Sequence, residues 1–127
     1  MTFRKIASIY SILVGISMFA TWIMFFAMGD VPGLDTEPVR TWFHIVAENM
    51  VGIALLAGGA GMWKEKRWGF MLYLVGMGML LYAIVNSPGF YIERGDTYMI
   101  YVFSGSFIVA VIMAVLTFVK RVQFWGD

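Results

Sequence analysis

The residues whose types and spacing could do chemistry in this chain are a histidine and a glutamate, His44 and Glu48. His44 is the only histidine, and Glu48 is the only acidic residue inside a long apolar segment. Residues four positions apart share one face of a helix, about 6 Å from each other along its axis. Such a pair can hold or pass a proton, or bind a cation. Ionisable groups placed in apolar segments indicate a functional site.

The composition around this pair is that of a membrane protein. Hydrophobic residues make up 61% of the 127 residues and charged residues 13%, whereas soluble domains average roughly 45–50% and 25%. A soluble domain of this length could not bury so much apolar surface, so the excess must face lipid. The chain has no cysteines, which excludes disulfides and thiolate metal sites.

Four apolar segments are each near the roughly 20 residues that cross a bilayer. They predict transmembrane helices at about 6–28, 41–63, 68–86 and 97–119, because backbone groups in lipid find partners only within a helix or a closed barrel. The first segment is longer than the roughly 7–15 apolar residues of a signal peptide, so we interpret it as a retained helix. We expect an all-α integral membrane protein whose single domain, 1–127, is an antiparallel four-helix transmembrane bundle.

The basic residues predict the orientation of this bundle. Seven of the nine Lys and Arg lie at the termini or in the connection between the second and third segments. Cytoplasmic loops carry such an excess, so both termini should be cytoplasmic, most simply in a prokaryotic cytoplasmic membrane. The net charge of +1 gives no support for a nucleic-acid partner.

A polar pocket is expected near the outer face, around the second helix. If Trp42 marks the interface, Glu48 lies about 9 Å deeper at 1.5 Å per residue. A charged group facing lipid is costly, so His44 and Glu48 should point into the bundle. The topology brings further polar residues to the same level: Asn49, Tyr82, Asn86, Tyr91, Tyr98, Tyr101 and Ser104.

Three functions are compatible with this pocket. The first is binding of a small molecule or ion, or an accessory role in a larger complex. The second is redox or acid–base catalysis on a lipid-soluble substrate such as a quinone. The third is a structural hydrogen-bond network without a ligand, since buried polar groups also hold membrane helices together.

The sequence identifies no cofactor. His44 and Glu48 supply two of the three or four ligands that zinc or iron requires, so a metal site would need ligands from a second subunit. A single histidine gives only one axial ligand for haem. Thioethers could add to His44 as Cu(I) ligands, although methionine more often fills packing gaps. The methionines toward the outer side are Met24, Met28, Met50 and Met99.

Small residues four positions apart predict where the helices approach closely. The second segment has Ala54 with Gly58 and Ala57 with Gly61, and the first has Ser11 with Gly15. The last segment offers a similar series at Ser106, Ala110 and Ala114. These stripes predict packing within one bundle, and the same stripes could form a homodimer or bind a larger membrane complex. The remaining apolar surface is expected to contact the lipid bilayer.

Overall fold

The computed structural model describes residues 2–31, 33–87, 89, 95 and 97–124. The four long helices are α1 (Phe3–Met28), α2 (Pro38–Trp63), α3 (Arg67–Asn86) and α4 (Tyr98–Val119), and a short 3-10 helix follows at Arg121–Phe124. Each long helix is sufficiently long and apolar to cross a membrane. The prediction of an all-helical chain with four candidate membrane-spanning helices is therefore confirmed.

The helix ends follow from local capping chemistry. α1 begins before its apolar run because the Thr2 hydroxyl accepts a hydrogen bond from the Lys5 backbone N–H. α2 likewise begins early, at Pro38, whose fixed φ suits the first helical position. Gly29 ends α1 with a φ of 69°, in the left-handed region that favours glycine.

α1 and α2 pack antiparallel through direct contacts of side chains with backbone. The Ser8 hydroxyl donates to the Gly59 carbonyl at 2.5 Å, and the Ser11 hydroxyl donates to the Leu55 carbonyl at 2.5 Å. A Cβ atom added to Gly59 would lie 2.9 Å from the Ser8 carbonyl oxygen. Glycine on one helix and serine on the other thus hold the two backbones close together.

α2 and α3 pack even more closely, because glycines face each other across their interface. Residues 64–66 connect the two helices, so α3 returns along α2. A Cβ atom on Gly69 would lie 2.4 Å from the Gly61 carbonyl carbon, and one on Gly58 would lie 2.6 Å from the Tyr73 backbone nitrogen. The glycines predicted on α2 therefore mediate packing within the chain.

An arginine stabilises the same end of α2. The Arg4 guanidinium donates to the Met62 carbonyl at 2.5 Å and forms an ion pair with Glu65 at 2.9 Å. The last carbonyl groups of a helix have no partner within the helix, so a cation there satisfies both their hydrogen bonding and their negative partial charge.

α4 packs more loosely than the other three helices. It lies mainly against α3, where the Tyr73 and Thr117 hydroxyls are 2.9 Å apart, and it makes little contact with α1. Ala110, Met113 and Thr117 are its buried residues. The bundle is consequently tight across α1, α2 and α3, and it has a groove between α1 and α4.

The glycine contact between α2 and α3 predicts that Gly→Ala substitutions at two positions of α3 change the free energy of unfolding by different amounts. Gly69→Ala should lower the free energy of unfolding by roughly 1–3 kcal/mol, because its methyl group meets the Gly61 backbone. Gly78→Ala is the matched control, since a Cβ atom there has no neighbour within 4 Å. Unfolding in detergent mixtures, followed by circular dichroism, measures both variants. Equal stability of the two would contradict the close contact.

Candidate functional site

The Glu48 carboxylate lies where three helices meet. Its Oε2 atom accepts a hydrogen bond from the indole Nε1 of Trp22 in α1, at 2.7 Å. Its Oε1 atom accepts from the hydroxyl of Ser87, the residue that ends α3, at 3.1 Å. The same oxygen lies 3.1 Å from Nε2 of His44, one turn earlier in α2. One carboxylate therefore connects α1, α2 and the end of α3.

The local structure explains why these particular groups converge. α1 runs antiparallel to α2, so residues late in α1 lie beside residues early in α2. Trp22 is thereby placed beside Glu48, and its ring meets the His44 ring edge-on with centroids 6.0 Å apart. Ser87 reaches the same carboxylate because α3 ends at this level. Trp22 and Ser87 are almost fully buried, with 5% and 1% of their surface exposed.

A cavity of about 1220 Å³ opens beside the His44–Glu48 pair. We call it the loop-side cavity, since the connection between α1 and α2 and the facing ends of α2 and α3 form its walls. The side chains of His44 and Glu48 keep 19% and 16% of their surface exposed. The connection and both helix ends contribute polar residues to the lining of the loop-side cavity: Asp30, Asp35, Thr36, Glu37, Arg40, His44, Glu48, Tyr82 and Asn86.

The charged residues that line the loop-side cavity are mostly acidic. Four carboxyl groups, from Asp30, Asp35, Glu37 and Glu48, line it together with a single guanidinium group, that of Arg40. Arg40 itself lies 3.4 Å from Glu37 in an exposed pair, a type that contributes little stability. Within the described lining, negative charge therefore exceeds positive charge, which favours cations over anions.

A second cavity, of about 650 Å³, lies in the groove between α1 and α4. We call it the α1–α4 groove. Most of its lining is apolar, including Val14, Met18 and Leu80, and hydroxyl groups such as that of Ser106 add some polarity. Glu48 and Ala83 line both this groove and the loop-side cavity. The carboxylate is thus shared between a polar cavity and an apolar one.

The structure distributes the predicted pocket residues over several environments. His44, Glu48, Tyr82 and Asn86 line the loop-side cavity, and Tyr101 lines the α1–α4 groove. Asn49 donates to the Ile45 carbonyl of its own helix at 2.8 Å and lies outside both linings. Tyr98 and Ser104 are exposed on α4, also outside both linings. Tyr91 lies outside the described residues.

The pattern of polar residues did not reveal Trp22 and Ser87, the two buried donors to Glu48. Trp22 lies within the first apolar segment, where an aromatic residue is typical of packing or lipid contact. One signal could have indicated Trp22. A carboxylate buried among helices requires hydrogen-bond donors, and the indole N–H of a tryptophan in a neighbouring helix is a donor that is not also an acceptor. Ser87 lies in a turn sequence, and its use as a donor depends on where α3 ends.

The described residues contain no group of three or more His, Cys, Asp or Glu side chains placed to hold a metal ion. Three of the methionines considered for copper, Met24, Met28 and Met50, expose half or more of their surface. None of the three belongs to the lining of the loop-side cavity. His44 and Glu48 thus remain the candidate ligands for an ion in this part of the chain.

Comparison with known families identifies one match. Residues 1–124 match the family model described as a domain of unknown function, DUF8058. The chain belongs to this family. No curated protein and no solved structure matches the chain. The family description names no activity, so the function has to be inferred from the site itself.

The hydrogen bond from Trp22 to Glu48 predicts a specific loss of stability. Trp22→Phe keeps an aromatic ring but removes the donor, so we expect the free energy of unfolding to fall by roughly 0.6–2 kcal/mol. Trp42→Phe is the control, since Trp42 is half exposed and contacts Phe26 through its ring. Unfolding in detergent mixtures compares the variants. If the two lose equal stability, the indole donor does not hold the site together.

Proposed function

We propose that this chain is a multi-pass integral membrane protein that binds a small molecule or ion in the loop-side cavity. Both termini lie in the cytoplasm, and the cavity opens to the outside of a prokaryotic cytoplasmic membrane. Four apolar helices support the insertion. The orientation is supported by the basic residues, seven of which lie at the termini or between α2 and α3.

The observation that carries this proposal is the double role of Glu48. Its carboxylate accepts hydrogen bonds from two buried donors on other elements, and it also lines a cavity of about 1220 Å³. Trp22 and Ser87 position the carboxylate, because donors with fixed geometry hold an ionisable group in one orientation. A network that served only to join helices would not need a partly exposed carboxylate and imidazole at the wall of a cavity.

Acid–base or redox chemistry on a lipid-soluble substrate such as a quinone is the second candidate. The distance of 3.1 Å between His44 Nε2 and Glu48 Oε1 favours it, since a proton can move across a contact of this length. We rank binding first because the observed contacts suffice for it. Catalysis additionally requires a substrate whose reacting atom reaches this pair.

We further propose that lipid covers the exposed apolar surface of α1 and α4. Leu13, Ile23 and Ile108 each expose more than half of their surface. The serine and glycine residues that would favour association between copies already mediate contacts between α1 and α2 in one chain. A homodimer would therefore have to use other exposed residues of the helices.

Cysteine labelling tests the cavity and the orientation together, because the chain has no native cysteine. Ala47 lines the loop-side cavity, whereas the neighbouring Val46 is exposed on α2 outside that lining. In intact cells, a charged thiosulfonate reagent that does not cross membranes should modify Ala47→Cys about tenfold faster than Val46→Cys. The reagent reacts with the thiolate, which forms in water and is disfavoured in lipid.

The outcomes separate the parts of the proposal. Labelling of Ala47→Cys only after the cells are permeabilised would reverse the orientation but leave the cavity intact. Equally slow labelling of both variants on both sides would show that water does not reach this wall, and the structural network would then be the better explanation of Glu48.

A further inference from the structure

We propose that the ligand of this site is an amphiphilic organic cation, an ammonium or phosphonium group attached to an apolar body. The cationic group lies at Glu48, and the apolar body occupies the α1–α4 groove, which it enters sideways from the lipid. This inference rests on the binding function proposed above and specifies its ligand class. The observation that supports this inference is that Glu48 lines both cavities.

The shape of the site selects a molecule with two chemically different ends. The α1–α4 groove is lined mainly by apolar side chains, whereas the loop-side cavity contains five charged residues among its lining. Because α4 makes little contact with α1, a molecule dissolved in the bilayer can reach the groove between these helices. A small hydrated ion would use only the polar cavity and leave the apolar groove without an occupant.

The charge of the site selects a cation. Trp22 and Ser87 are neutral donors to Glu48, so their hydrogen bonds orient the carboxylate without compensating its charge, and the His44 imidazole 3.1 Å away compensates it only when protonated. A positive group beside a carboxylate is attracted more strongly in a medium of low dielectric constant than in water. The other carboxyl groups of the loop-side cavity act in the same direction, since Asp30 and Asp35 also line it.

The two buried donors at Glu48 are already used and cannot serve a neutral carbonyl compound, such as an oxidised quinone. Trp22 and Ser87 each have one side-chain hydrogen to donate, and each donates it to Glu48. A quinone carbonyl at this point would meet a carboxylate, which is itself an acceptor. An ammonium or phosphonium group needs no such donor, and the aromatic ring of Tyr101 in the groove can add a favourable cation–π contact.

The test uses two ions of nearly the same shape and opposite charge, tetraphenylphosphonium and tetraphenylborate. Equilibrium dialysis of the purified full chain in detergent measures their binding, with protein-free micelles as the background. We expect saturable binding of tetraphenylphosphonium only. Glu48→Gln should weaken it by roughly tenfold or more, since the charged partner is lost. Saturable binding of both ions, or an unchanged dissociation constant in Glu48→Gln, would overturn the proposal.

A second pair of variants tests the groove and does not depend on the folding of Glu48→Gln. Ser106 lines the α1–α4 groove, and Ile108 lies two residues further along α4, exposed and outside both linings. Ser106→Phe should fill part of the groove and weaken tetraphenylphosphonium binding by roughly tenfold, whereas Ile108→Phe should leave it unchanged. Equal dissociation constants for these two variants would contradict the groove as the binding site.

The binding and labelling experiments together distinguish failure of the cation proposal from failure of the cavity proposal on which it rests. If Ala47→Cys is labelled from outside and tetraphenylphosphonium does not bind, the cation proposal is wrong and the cavity proposal stands. If Ala47→Cys is not labelled and the cation does not bind, both are wrong. Protection of Ala47→Cys by tetraphenylphosphonium, but not by tetraphenylborate, supports both.

Discussion

Close backbone contact of α2 with α1 on one side and with α3 on the other is the constraint on which the rest of the structure depends. Lipid is as apolar as leucine, so helices in a membrane gain little from covering apolar side chains, and packing and hydrogen bonds decide which helices associate. In this chain Ser8 and Ser11 donate to carbonyl groups of α2, and Gly61 faces Gly69 across the α2–α3 interface. These contacts fix the rotation of each helix about its own axis, and that rotation determines which polar residues converge.

The two ends of the bundle consequently have different properties. Toward the end that contains Arg4 and residues 64–66, glycine and serine hold α2 close to α1 and to α3. Toward the opposite end, hydrogen bonds to Glu48 replace glycine contacts, and the two cavities lie beside that network. A carboxylate with defined donors can hold helices at a greater separation than a glycine contact can. The same group therefore contributes to the structure and keeps 16% of its side-chain surface exposed.

The sequence predicted the helices better than it predicted the contacts of the site. Hydropathy identifies four long helices because a segment long and apolar enough to cross a bilayer is visible in the sequence. Small residues at four-residue spacing likewise indicated the α1–α2 and α2–α3 contacts. Which residues face Glu48 depends on helix rotation. Ser8, Ser11 and Gly15 mark the buried face of α1, and Trp22 lies on the same face. Trp22 was missed because an aromatic residue in an apolar segment is typical of packing or lipid contact. Asn49, although adjacent to Glu48, bonds to the Ile45 carbonyl of its own helix, because one residue along a helix turns the side chain by about 100°.

The loose packing of α4 has a chemical consequence for the site. If α4 packed on α1 as closely as α3 packs on α2, the groove would be filled and Glu48 would border only the polar cavity. Instead, Ala110 and Thr117 hold α4 against α3, and its contact with α1 remains slight. Glu48 therefore borders both a cavity with several acidic residues and a mainly apolar groove. Our proposal of an amphiphilic cation rests on this arrangement, since neither a simple ion nor a neutral lipid would match both environments.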